Sequence, residues 1–159
     1  MRDAMDEYYM RLAIEEAKKA AMLDEVPVGV VVVRKGNILV RSHNCREILK
    51  DSTAHAEILA IKEACKILNG WRLLDCEMYV TLEPCPMCAG AIVNSRIKKL
   101  VFGAYDNRSG ACKSLYNITQ DERLNHRLEV IGGVLEEDCK KLMQEFFKIK
   151  RSKCKEHKK

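Results

Sequence analysis

The chain has 159 residues, 47% of them hydrophobic and 32% charged, which fits one compact globular domain and excludes a wholly disordered chain; the sequence carries no internal repeat. No apolar run approaches the roughly 20 residues needed to span a bilayer, and no N-terminal stretch has the layout of a secretory signal, so a cytoplasmic location without a membrane partner is expected. The formal charge is +5, but residues 148 to 159 hold seven Lys or Arg against one Glu, so the rest of the chain is close to neutral and the basic character belongs to the tail.

Residues 6 to 23 place Tyr9, Leu12, Ala13, Ala17 and Ala20 at helical spacing, with Glu15, Glu16, Lys18 and Lys19 on the other side. An amphipathic helix packed on a sheet is expected. Val26-Pro27-Val28-Gly29 breaks this pattern, and Val30 to Val33 is a β-branched run that reads as a buried strand. Arg34-Lys35-Gly36-Asn37 is a turn and Ile38 to Asn44 a second strand, which together make a hairpin. Residues 45 to 52 read as a polar connection. Thr53 is placed to cap a helix starting at Ala54, whose apolar face is Ala54, Ile58, Ile61, Cys65 and Leu68 and which Asn69-Gly70 ends.

Glu77 to Leu82 is a third strand, and Pro86 suits the first turn of a helix with Cys88, Ala91, Ile92 and Ser95 inward. Lys99 to Gly103 is a fourth strand, Ala104 to Ser114 a loop suited to a lid, and residues 115 to 127 helix and turn. Glu129 to Ile131 is a short strand, and Leu135 to Ile149 a helix with Leu135, Cys139, Leu142, Met143 and Phe146 inside. Strands and helices alternating after an initial hairpin predict an α/β fold, a three-layer α/β/α sandwich around a mixed five-stranded sheet. The domain is expected over residues 1–150, followed by a basic, disordered tail over 151–159.

The chemistry concentrates in two stretches, Thr53-Ala54-His55-Ala56-Glu57 and Thr81 to Gly90, the latter containing Pro84-Cys85-Pro86-Met87-Cys88. Cys85, Cys88 and His55 make a three-ligand set whose thiolates and imidazole suit Zn2+. A closed structural site would carry a fourth ligand at comparable spacing; three leave a position for water, the arrangement of a catalytic zinc. Glu57, two residues from His55, is the candidate proton carrier for that water. A Cys-x-x-Cys at a helix start also fits a structural zinc or a redox pair, but neither explains His55 and Glu57. The remaining cysteines, Cys45, Cys65, Cys76, Cys112, Cys139 and Cys154, are dispersed and read as reduced thiols. His43 reads as an ordinary structural histidine, and Asn44, by pattern alone, as a strand-end turn residue.

The His-x-Glu and Pro-Cys-x-x-Cys pair is the hallmark of zinc nucleobase deaminases. With Val26 to Gly29, His43-Asn44, Trp71-Arg72-Leu73, Tyr79 to Gly90, Ser95-Arg96-Ile97, Phe102-Gly103-Ala104, Asn125-His126-Arg127 and Phe146-Phe147, the chain resembles the bacterial tRNA-specific adenosine deaminases of the cytidine-deaminase-like superfamily. The resemblance implies a hydrolase converting adenosine to inosine at the wobble position of a tRNA anticodon stem-loop, as a homodimer with one zinc per subunit. It implies His55, Cys85 and Cys88 as zinc ligands and Glu57 as the catalytic proton shuttle. Asn44, Pro27, Val28, Asp106 and Asn125 match positions that bind the substrate nucleotide or its neighbours. Arg127, Lys148, Lys150 and Arg151 are the candidate contacts to the RNA backbone. Lys148 and Lys150 stand where relatives often carry arginine, which keeps the charge and loses the bidentate fork. The competing reading is a zinc-dependent deaminase of a free base or nucleotide, of guanine, cytosine or dCMP type, which shares the metal chemistry but has no use for a basic tail.

Overall fold

The computed structural model describes residues 4–157. Its elements are helix α1 (Ala4–Met22), strands β1 (Gly29–Arg34) and β2 (Asn37–His43), helices α2 (Arg46–Leu49) and α3 (Ala56–Leu68), strand β3 (Cys76–Leu82), helix α4 (Pro86–Asn94), strand β4 (Lys99–Ala104), a 3-10 turn (Ile118–Gln120), strand β5 (Glu129–Gly132) and helix α5 (Glu136–His157). The five strands form one sheet in the order β2-β1-β3-β4-β5. β1 is antiparallel to both β2 and β3, whereas β3, β4 and β5 run parallel, so the sheet is mixed as the sequence predicts.

The period-2 alternation of strand side chains separates two cores. Val30, Val32, Met78, Val80, Leu100 and Phe102 face one way, toward α3 and α4. Val31, Val33, Tyr79 and Val101 face the other way, with Tyr9, Met10 and Ala13 of α1 and Cys139 of α5. Helix α1 sits so close to β1 that a Cβ on Gly29 would collide with the Ala13 carbonyl, which explains why a small residue opens that strand. The β1–β2 turn has Lys35 at φ 50° and Gly36 at φ 79°, the double positive φ that a two-residue hairpin of matching twist requires.

This topology decides where chemistry can occur. Because β1 is antiparallel to both its neighbours, β2 and β3 run the same way, and β4 follows β3. The carboxyl ends of β2, β3 and β4, at His43, Leu82 and Ala104, therefore open on one edge of the sheet. Ligands favour that edge in open α/β sheets. Helix α4 begins there directly after β3, and α3 begins there after the connection that leaves β2.

Four expectations need correction. The buried stripe of α3 is Ala56, Glu57, Ala60 and Ala64, while Ile58, Ile61 and Cys65 are only half-buried; alanines let the helix approach the sheet closely. Thr53 caps no helix, because its amide and hydroxyl both donate to Asp51 and the helix starts at Ala56. Glu16 is not on the polar side of α1 but buried, its carboxylate held by Lys19 at 2.6 Å and by His43 Nδ1 at 3.2 Å. Residues 151–157 are not a disordered tail, since α5 continues through them; Lys158 and Lys159 lie outside the described residues. Acidic residues fill the first turn of α5 and Lys and Arg its last turns, an order that suits the helix dipole.

Candidate functional site

His55 and Cys85 occupy equivalent places, each at the N-cap of a helix, with extended backbones at φ −70°, ψ 150° and φ −74°, ψ 174°. Neither side chain caps its own helix, so both are free to point into the space between the two helix starts. Pro86 opens α4, where its missing N–H costs nothing, and one turn on Cys88 is fully buried beneath Cys85.

The His55 Nδ1 atom lies 3.7 Å from Cys85 Sγ and 3.5 Å from Cys88 Sγ, and all three donor atoms fall within 4.8 Å of one another. A tetrahedral zinc with Zn–S near 2.3 Å and Zn–N near 2.05 Å separates sulfur from nitrogen by about 3.6 Å. The donor spacing fits that ion. No fourth His, Cys, Asp or Glu joins the group among the described residues. The two helix N-termini add positive potential, which favours thiolate. The hydrogen bond from the Cys88 thiol, with help from His55, outweighs burial and holds Cys85 down to about 4, whereas that same bond and burial push Cys88 up. His55 is raised, chiefly by its hydrogen bond with Cys85.

Glu57 is 3% exposed, and burial lifts its carboxyl to about 6 against contrary pulls from His55 and Cys88. A carboxyl titrating near neutrality can both take and return a proton. It lines a cavity of about 220 Å³ together with His55, Cys85, Val28, Asn44, Asp106 and Ser109, closed on the α5 side by Met143 and Phe147. Arg46 also lines it.

The other predicted substrate residues divide. Asn44 is buried at the end of β2, where its Oδ1 accepts the Ala56 N–H at 2.7 Å and caps α3 from outside the helix. That leaves its amide nitrogen for the cavity. Pro27 is buried beside Val28 but does not line the cavity. Asp106 reaches the wall, with Oδ2 accepting the Ser109 hydroxyl at 2.9 Å. Asn125 is exposed and not in the cavity; its neighbour His126 bonds the Ile97 carbonyl at 2.8 Å through Nε2, at the amino end of β4 and hence the opposite sheet edge. Arg127 is there too, exposed and 3.7 Å from Glu122. Lys148 and Arg151 are exposed on α5, and Lys150, 3.4 Å from Asp24, lines a second depression that shares Asn44, Arg46 and Phe147 with the cavity.

Two buried carboxylates beside the cavity escaped the sequence reading. Glu25 accepts the Glu47 N–H with both oxygens and so fixes α2 beside the cavity. Glu83 accepts backbone N–H groups from Asp106 (3.1 Å), Cys112 (3.1 Å), Lys113 (2.8 Å) and Ser114 (2.9 Å), as well as the Ser114 hydroxyl. Burial alone would raise the Glu83 carboxyl; the Ser114 hydroxyl and these amides outweigh it and hold it below the ordinary range. The loop expected as a lid is therefore a pinned wall. The available signal was a charged residue between Leu82 and Pro84 in an otherwise apolar stretch.

Residues 4–151 match the MafB19-like deaminase family. A tRNA-specific adenosine deaminase of Bacillus subtilis is 55% identical over 148 residues, 93% of this chain and 92% of that protein. Among solved structures, one from studies of A-to-I editing by tRNA:A34 deaminases at the wobble position superposes with a TM-score of 0.82 at 41% identity, covering 85% of this chain and 98% of that one. A guanine deaminase from Bacillus subtilis superposes with a TM-score of 0.61 at 38% identity, covering 62% and 64%.

Proposed function

The chain belongs to the MafB19-like deaminase family and, within it, to the tRNA-specific adenosine deaminases, and from that premise we propose that it hydrolyses adenosine to inosine at the wobble position of a tRNA anticodon, with Glu57 as its proton carrier. The observation that carries the assignment of roles is the cluster of His55, Cys85 and Cys88 donor atoms within 4.8 Å of one another. The buried Glu57 carboxyl lines the same cavity.

His55, Cys85 and Cys88 would hold a zinc ion, which would supply Lewis acidity and lower the pKa of a water from about 15.7 toward about 7. Glu57 takes the proton so released and passes it to adenine N1, which makes C6 electrophilic. Hydroxide adds to C6, and Glu57 takes the proton of the new C6 hydroxyl and delivers it to the amino group as the C6–N bond breaks, so water and adenosine become inosine and ammonia. One carboxyl serves both transfers, since burial raises it and so favours the protonated form it passes through between them.

The cavity of about 220 Å³ is small beside the roughly 300–1,000 Å³ of clefts that enclose whole drug-sized ligands. It suits one extruded base, with Asn44 offering its amide nitrogen and Val28 an apolar wall. Extrusion is least costly from a single-stranded loop. The RNA strand on either side then lies outside, where Lys148, Lys150 and Arg151 meet its phosphates. Large apolar side chains stand exposed at Ile48, Leu49, Leu115 and Tyr116, surface that a second copy of the chain covers in a homodimer.

The test is to incubate zinc-loaded protein with an adenosine-bearing anticodon stem-loop and, separately, with free adenosine, cytidine and guanine, and to assay inosine and ammonia. Inosine in the stem-loop alone is expected. Turnover of guanine or another free base with an untouched stem-loop assigns the chain to small-molecule deamination instead.

A further inference from the structure

Deepening the proposed function, and resting on it, one feature of the cavity concerns how the nucleotide is held rather than how it reacts. The 106–114 loop supplies Asp106 and Ser109 to the cavity wall, yet these residues belong to no helix or strand. One side chain makes most of the bonds that anchor this loop to the segment joining β3 and α4. Glu83 Oε2 accepts the amides of Cys112, Lys113 and Ser114, and Oε1 accepts the Asp106 amide and the Ser114 hydroxyl. The Ala111 amide donates to the Pro84 carbonyl at 2.9 Å, which ties the same loop to the residue between Glu83 and Cys85.

Gly110 completes this clamp. A Cβ there would collide with the Glu83 carboxyl carbon and with the Asp106 carbonyl, so the loop closes this tightly only around a residue without a side chain. Asp106 spends its own carboxylate inside the loop, on the Arg108 amide at 3.0 Å and on the Ser109 amide and hydroxyl. The wall is thus a stack of acceptors, Glu83 holding Asp106 and Asp106 holding Ser109. Its base lies two residues from Cys85.

We propose that Glu83 is a positioning residue for the substrate: although it borders the cavity, its carboxylate is spent on the 106–114 loop, and by clamping that loop it sets the wall against which the extruded nucleotide is held. Such a residue acts on binding more than on turnover, because the loop meets the nucleotide in both ground and transition states.

Glu83→Gln tests this with little change of size. An amide has one acceptor oxygen; turned toward the three amides of 112–114, it presents its NH2 to the Asp106 N–H and releases that end of the wall. Steady-state kinetics on the adenosine-bearing stem-loop, with zinc content measured on the same samples, should show KM raised about tenfold or more, kcat within about threefold of wild type, and full zinc occupancy. Gly110→Ala leaves the carboxylate in place but pushes the loop off it, and the same split is expected, so a Gln variant that fails to fold does not end the test. Wild-type KM in folded variants, or kcat falling in step with lost zinc, overturns the proposal while leaving the function intact. A wild-type protein inactive on the stem-loop overturns both.

Discussion

Asn44 Oδ1 accepts the Ala56 N–H at 2.7 Å, so the residue between His55 and Glu57 is tied to the end of β2. The N-cap residue His55 makes no capping bond of its own, which leaves Asn44 as the cap. Asn44→Ala should therefore cost about 1 kcal/mol of stability, as the loss of a helix cap does. Asn44→Asp restores an acceptor at a helix N-terminus but not the amide donor. Thermal unfolding and KM on the stem-loop separate the two roles: Asp recovers the melting temperature and leaves KM raised. An Asp variant with wild-type KM refutes a substrate contact by the amide.

Glu57→Gln removes proton transfer while keeping the shape of the side chain. Inosine formation should fall by about 10²–10⁴-fold, with zinc content and fold unchanged. Single-turnover assays on the stem-loop measure this; near-normal turnover would eliminate Glu57 as the proton carrier.

Metal removal exposes the electrostatic cost of the same residue. A chelator should abolish activity and lower the melting temperature, and stoichiometric Zn2+ should restore both. In the metal-free protein, burial raises the Glu57 carboxyl from 4.5 to about 6. A raised folded-state value contributes stability that is fully present below the unfolded value and is lost as pH rises through the folded one. Relative to Glu57→Gln, metal-free wild type should therefore lose about 2 kcal/mol between pH 3.5 and pH 7. Urea unfolding across that window is the measurement, and a flat difference contradicts the burial account.

Charge on α5 should be read in salt. Lys148, Lys150 and Arg151 are proposed as phosphate contacts, and each neutralised phosphate steepens the slope of log affinity against log salt by about 0.7 to 0.9. Replacing all three by alanine should flatten that slope by about 2 and weaken the stem-loop several-fold, with kcat retained. The exposed Lys150–Asp24 pair contributes little to stability, so the variant should fold normally. An unchanged slope would remove α5 from the RNA surface.

The strands, the order of elements and the three-donor cluster were legible because each is written in local sequence: a run of valines, a two-residue turn, a proline after a cysteine. The orientation of α3 was not. Large side chains dominate any reading of periodicity, and Ile58 and Ile61 drew the inward face toward themselves, whereas the sheet accepts the small Ala56, Ala60 and Ala64. The wall built on Glu83 was also hidden, because its partners lie 23 to 31 residues away and are backbone amides that no residue type announces. Composition misled at the C-terminus, where a basic stretch looked like a solvated tail although lysine and arginine are good helix formers.

Two of the three donors stand at the N-caps of separate helices, one following β2 and the other following β3. A slip of one residue in either helix would swing its donor by about 100° and scatter the set. An incompletely assembled chain therefore has nothing with which to hold the ion tightly. The donor set is complete only after distant parts of the sequence have found their partners, so metal affinity would report on the assembled fold.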